Sequence, residues 1–341
     1  MNLTEAIRDL QKNAEQWQAF STEGHVVVHA PPGSGKTKLL ATRVAFDFVN
    51  RIPKPHGAAC VTLTNASADE LRRRIEAIVA PRRSTFFVGT VHSFAYRRIL
   101  LPFADIAGKS ELRHYSIATK AQEKAAMSAA IARTPGAHAE KYIDSTIKIL
   151  RNRFATDEQW ASAGEAVRQV AQRYRKLLAE SNLLDFTGMI EQAVSIVEKN
   201  LIVRRVLNSK YPHLYVDEYQ DLAPGLDKLV QALCFDYYNG AELFAVGDPD
   251  QAVYGFSGAR PELLHELSQR SGVTPIRLKT NYRSGDEILR IAQFMKHSDF
   301  PTVGRRVGGS VSGLPFAQVG RVAKAFEPLT TLSNFETVAY L

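Results

Sequence analysis

The apolar run Val26-Val27-Val28, followed by Ala30-Pro31-Pro32-Gly33-Ser34-Gly35-Lys36-Thr37 and a helical pattern from Lys38 to Val49, constrains this chain more than any other feature. A strand must run into a glycine turn and leave it as a helix. That geometry converges backbone N–H groups at a helix N-terminus, where their partial positive charge gathers anions. Gly33 and Gly35 allow the bends, Lys36 brings a full charge, and Thr37 offers a hydroxyl suited to magnesium. Pro32, Gly33, Ser34, Gly35, Lys36, Thr37 and Lys38 are therefore expected to cradle nucleotide phosphates.

Short apolar runs recur at Ala59-Cys60-Val61-Thr62-Leu63, Phe86-Phe87-Val88, Leu214-Tyr215-Val216, Leu243-Phe244-Ala245-Val246 and Ile276-Arg277-Leu278. They read as strands buried on both faces. Helical patterns separate several of them, including Ala68 to Val79 behind a Ser67-x-x-Glu70 capping box, and this alternation implies a parallel sheet flanked by helices. Between about Asp105 and Asn208 the strand signal vanishes. Thr119-x-x-Gln122 and Thr156-x-x-Gln159 read as helix starts there, and Val167, Val170, Ala171, Tyr174, Leu177 and Leu178 share one helical face. The expected fold class is α/β: a parallel-sheet P-loop lobe with an all-helical insertion. One more helix is expected behind Ser284-x-x-Glu287, and a turn-rich basic tail beyond Phe300.

Asp217-Glu218-Tyr219-Gln220-Asp221 leaves one of these strands and Gly247-Asp248-Pro249-Asp250-Gln251 leaves another. Carboxylates at a strand end downstream of a phosphate loop suit metal-assisted nucleotide hydrolysis. Asp217 is expected to hold magnesium, mostly through water, and Glu218 to accept the proton of the attacking water. Gln251 would sit near the terminal phosphate, where a neutral amide senses it without competing for metal.

A chain of 341 residues with 45% hydrophobic and 23% charged content suits two or three globular domains rather than one. Its net charge of +8 favours a polyanionic partner. The two cysteines, Cys60 and Cys234, both lie in apolar segments, so neither a disulfide framework nor a metal cluster is expected. The N-terminus lacks an apolar signal core and no run reaches the length of a membrane span; the expectation is a cytoplasmic protein without membrane partners.

At these residues the chain resembles superfamily 1 DNA helicases of the UvrD/PcrA/Rep type, over roughly residues 10 to 295. Further motifs follow in the family's order. Glu15-Gln16 is similar to the adenine-reading glutamine motif, while Thr62-Leu63-Thr64-Asn65 and Thr90-Val91-His92-Ser93-Phe94 are similar to two strand-binding motifs. Leu184-Asp185-Phe186 resembles the element that closes the helical insertion. Gly247 to Ala259 resembles the motif coupling ATP to DNA, and Asn281-Tyr282-Arg283-Ser284 the first motif of the second motor lobe.

The resemblance implies a RecA-like lobe over 1–104 and 209–280, the insertion over 105–208, and a truncated second-lobe remnant with a basic tail over 281–341. It implies ATP and Mg2+ as ligands, with Gln16 reading the adenine, Tyr282 stacking on it, and Arg283 reaching the terminal phosphate beside the catalytic Lys36, Glu218 and Gln251. Thr64, Asn65, Thr90 and His92 would contact the backbone of single-stranded DNA, or of DNA with single-stranded ends, and Tyr254 or Phe256 would stack on a base. Phe94 is weighed as core packing, and the arginines at 72–74 and 82–83 as either an extended basic track or solvated helix faces.

Three departures stand out: Leu63 replaces a common aromatic, Ala66 a common lysine, and Ser257 a common arginine. The sequence ends soon after Arg283, so the expectation is an ATPase whose missing wall comes from a protein partner, either a second helicase half or a nuclease. The alternative is a nucleotide-gated DNA sensor with weak turnover, as in Gabija-like anti-phage defence.

Overall fold

The computed structural model describes residues 2–80, 85–235, 240–253, 255, 258–295 and 303–306. Its strands are β1 (His25–His29), β2 (Ala58–Thr62), β3 (Phe87–Thr90), β4 (Ser116–Ile117), β5 (Leu183–Leu184), β6 (His213–Val216), β7 (Glu242–Gly247), β8 (Val273–Arg277), β9 (Thr280–Gly285) and β10 (Val303–Arg306). Six of them form one parallel sheet in the order β3-β2-β6-β7-β1-β8.

Alternation along the strands divides the core in two, because successive side chains point to opposite faces. Val27, Ala59, Val61, Leu214, Val216 and Ala245 face helices Phe186–Lys199, Pro224–Cys234 and Glu262–Ser268. Val26, Val28, Cys60, Tyr215, Phe244 and Val246 face helices Leu3–Leu10, Lys36–Asn50 and Asn65–Glu76. Both cysteines are buried free thiols, and burial pushes both thiol pKa values up.

The insertion has its own core of Met127, Ala130, Ile143, Ile147, Val167, Val170, Ala171, Tyr174 and Leu178. The expected capping boxes at Thr119 and Thr156 are both formed. One pair of very short parallel strands, β4 and β5, ties its ends together, so the region is helical except for this clasp. Helices Phe186–Lys199 and Leu201–Lys210 send Met189, Ile190, Val194, Val203 and Leu207 into the core beneath the sheet.

Two helix starts differ from the sequence expectation. Helix Asn65–Glu76 is capped by Thr64, whose hydroxyl accepts from Ser67 N at 3.1 Å, so Ser67 lies inside the first turn. Ser284 lies in β9, and the following helix runs Asp286–Met295. At Thr64 an earlier local cap outranks the expected box, and at Ser284 the pairing of β9 with β10 does. Among the described residues no helix is long and apolar enough to cross a membrane.

Candidate nucleotide and strand-binding site

Backbone bonds from Ala30 N to Gly247 O, Asp217 N to Val61 O and Leu278 N to His29 O, each of 2.9 to 3.0 Å, lace the strands at one edge of the sheet. All the loops that carry candidate residues leave from that C-terminal edge, where open α/β sheets bind ligands.

The phosphate loop adopts the expected turn, with Gly33 at φ +73° and Gly35 at φ +85°. A side chain at either position would collide as well as strain: a Gly33 Cβ would lie 2.7 Å from Asn281 Oδ1, and a Gly35 Cβ 2.7 Å from Gln16 Nε2. Gln16, only 2% exposed, donates to Ser34 O at 2.7 Å and so braces the loop from helix Ala14–Ser21. From the other side Asn281 Nδ2 donates to Pro32 O at 2.5 Å and Tyr282 N to Gly33 O at 2.8 Å. Asn281 Oδ1 also accepts from Arg283 N and Ser284 N, both at 2.8 Å, which folds the Tyr282-Arg283 turn over the loop. Arg283 is exposed there. Lys38 pairs with Asp9.

Lys36 is ion-paired with Glu218. Glu218 occupies the left-handed region at φ 56° and ψ 47°, a conformation that costs a non-glycine residue about 1–3 kcal/mol. Its Oε2 also accepts from Gln220 Nε2 at 2.8 Å. Asp217 is 4% exposed, and burial pushes its pKa up to about 6, opposed by the Lys36 charge and reinforced by that of Glu218.

Gln220 bridges the two acidic loops. Its Oε1 accepts from Asp248 N at 2.9 Å while its Nε2 holds Glu218. Gln251 is fixed to the same Asp248, donating to Oδ2 at 2.6 Å. A cavity of about 260 Å³ lies among Thr62, Leu63, Thr64, Ser67, Glu218, Gln220, Asp221 and Gln251. It joins the candidate hydrolytic residues to the candidate strand-binding loop.

The donor set fits a magnesium-bound nucleotide. The Ser34 hydroxyl is buried without a hydrogen-bond partner among the described residues, which suits an incoming phosphate oxygen. Thr37 lies in the first turn of helix Lys36–Asn50, and Asp217 offers a carboxylate that a cation would keep ionised. No cluster of three or more His, Cys, Asp or Glu able to hold a metal occurs among the described residues. An ion here would therefore need phosphate oxygens and water, as magnesium does in such sites.

On the strand side, Thr90 caps the turn Val91–Phe94 through Ser93 N at 3.1 Å, and Asn65 is exposed in the first turn of its helix. His92 is half-buried, and burial lowers its pKa, leaving a neutral ring at neutral pH. Its ring meets Phe186 edge-on at 5.4 Å. Phe186 is 53% exposed although it is a large aromatic, and its only sequence signal was its place after Leu184-Asp185. It supplies a second ring beside His92. Phe94 is core, meeting the rings of Phe87 and Tyr211 edge-on. Arg72, Arg73 and Arg74 are paired with Asp69 or Glu70 along their own helix. Tyr254, Phe256, Arg82 and Arg83 lie outside the described residues.

Residues 12–271 match the UvrD/REP helicase N-terminal domain family. The ATP-dependent DNA helicase PcrA of Staphylococcus epidermidis is 28% identical over 298 residues, covering 84% of this chain and 40% of that protein. PcrA of Staphylococcus aureus is 29% identical over 291 residues, covering 82% and 39%. The chain thus spans about 40% of the length of these relatives.

Proposed function

Because the chain belongs to the UvrD/REP helicase N-terminal domain family, we propose that it is the ATP-hydrolysing, single-strand-holding lobe of a DNA helicase-like motor. The observation that carries this reading is the Gln220 bridge, which links Glu218 to Asp248 beside the cavity shared with Thr64. A change at the terminal phosphate would reach the Asp248 loop, which also holds Gln251, through two hydrogen bonds.

In this reading Lys36 leaves Glu218 for the β- and γ-phosphates, and the N–H groups of the loop receive the remaining phosphate oxygens. Mg2+, when bound, neutralises charge on those oxygens, with Thr37 and Asp217 holding it. Glu218 takes a proton from water as the water oxygen attacks the γ-phosphorus and the bond to the β-phosphate oxygen breaks, releasing ADP. Arg283, poised over Gly33, meets charge developing on the transferred group, a contribution worth about 10³ to 10⁵ in rate where such arginines operate. Tyr282 covers the base and Gln16 reads its edge.

Thr64, Asn65, Thr90 and His92 hold the strand by hydrogen bonds, and Phe186 stacks on a base, worth about 1–3 kcal/mol. Stepping along DNA requires a second lobe that closes on the first, supplied by further residues of the polypeptide or by a protein partner. The test is oligothymidylate affinity with a non-hydrolysable ATP analogue, with ADP, and with neither. This reading expects the three affinities to differ, and equal values would count against it.

A further inference from the structure

A buried ionic clamp reaches Asp185, the residue before Phe186, from the helical insertion. Asp185 is the N-cap of helix Phe186–Lys199, with Oδ1 accepting from Gly188 N at 2.7 Å. The same carboxylate is gripped by Arg151 at the end of helix Ile143–Asn152: Nη1 bonds Oδ2, and Nη2 lies 3.0 Å from Oδ1. Tyr174 OH donates to Oδ2 at 2.9 Å. Arg151 also reaches Glu191 Oε2 at 3.2 Å, one helical face further along, and Thr187 Oγ1 donates to Asn152 Oδ1 at 2.6 Å.

Arg151 is only 4% exposed, so its charge was removed from water to make these bonds. Burial alone would raise the Asp185 carboxyl, but the Arg151 bonds and charge hold it below its ordinary range. A buried ion pair of this kind seldom stabilises a fold more than apolar packing of the same volume would. What a bidentate guanidinium fork adds is direction. Met189, Ile190 and Val194 already anchor the helix to the lobe core. The clamp acts instead on its first turn, the one that bears Phe186.

We propose that Arg151, assisted by Tyr174, is a positioning residue for the strand-binding face: by fixing both oxygens of Asp185 it aims Phe186 beside His92 and so lets the insertion set how a base stacks on the lobe. The inference rests on the reading that this face binds single-stranded DNA.

The experiment measures ATP turnover of the full chain against oligothymidylate concentration. Arg151→Lys, which loses the fork, is expected to raise the half-saturating DNA concentration about five- to tenfold, with maximal turnover and the KM for ATP unchanged. Tyr174→Phe is expected to raise it about twofold. In a Phe186→Ala background neither substitution weakens binding further. Wild-type DNA affinity in both variants, additive losses on top of Phe186→Ala, or maximal turnover falling in step with affinity would each overturn the proposal. Should Arg151→Lys fail to fold, the Tyr174→Phe and Phe186→Ala cycle decides the question alone. A wild-type chain that binds no oligothymidylate would overturn the strand-binding reading itself, and this inference with it.

Discussion

Lys36 and Glu218 are ion-paired across the mouth of the phosphate loop. The cation suited to a terminal phosphate and the base suited to the attacking water hold each other. In the proposed reading, a phosphate entering the loop would compete for Lys36 and release Glu218. Gln220 keeps the released carboxylate from swinging away.

Glu218→Gln is expected to lower ATP turnover by about 10² to 10⁴ while nucleotide affinity is kept or improved, since Lys36 loses its competing charge. Steady-state turnover beside equilibrium binding of a fluorescent nucleotide checks this. Parallel loss of both would point to a collapsed loop instead.

The left-handed backbone at Glu218 predicts an ordering of stabilities. Glu218→Gly should be more stable than Glu218→Ala by about 1 kcal/mol, the reverse of their order in ordinary extended or helical positions. Urea denaturation of the two variants measures the difference, and alanine proving the more stable would remove the strain argument.

Asp217 predicts a pH dependence of definite sign. Its folded pKa of about 6 exceeds the ordinary 3.8, so between these values the folded chain binds more protons than the unfolded chain. Nucleotide-free stability therefore falls as pH rises across that window, and Asp217→Asn flattens the slope. A divalent cation needs the carboxylate, so magnesium-dependent nucleotide affinity should weaken as pH drops below about 6. Thermal melting and nucleotide titration across pH 4–7, roughly the window set by that shift, test both parts.

Gln220→Glu replaces the donor that holds Glu218 with a second carboxylate, but keeps an acceptor for Asp248 N. Nucleotide binding should survive, while most of the stimulation of turnover by single-stranded DNA should be lost, in line with the roughly 1–3 kcal/mol cost of a disrupted buried bond. Stimulation equal to wild type would show that coupling runs elsewhere.

Much of this was legible because strands buried on both faces and a glycine turn before a helix leave strong local patterns. Val26-Val27-Val28, the phosphate loop and the Thr119 and Thr156 caps all fall where those patterns put them. What stayed hidden depends on tertiary context. Gln220 looks like any polar turn residue until β6 and β7 lie side by side and bring it to Asp248. Arg151 and Asp185 are far apart in sequence, and nothing local marks them as partners. Ser67 and Ser284 each satisfy a capping pattern, yet Thr64, two residues past β2, caps the first helix and the pairing of β9 with β10 takes in Ser284.

The central claim is that nucleotide hydrolysis and strand binding are coupled through the C-terminal edge of this sheet. ATP turnover by the purified chain, measured with and without saturating oligothymidylate and with Glu218→Gln as the blank, tests it most directly. The account predicts turnover that rises severalfold on adding DNA and disappears in the variant. Turnover that is identical with and without DNA would contradict it.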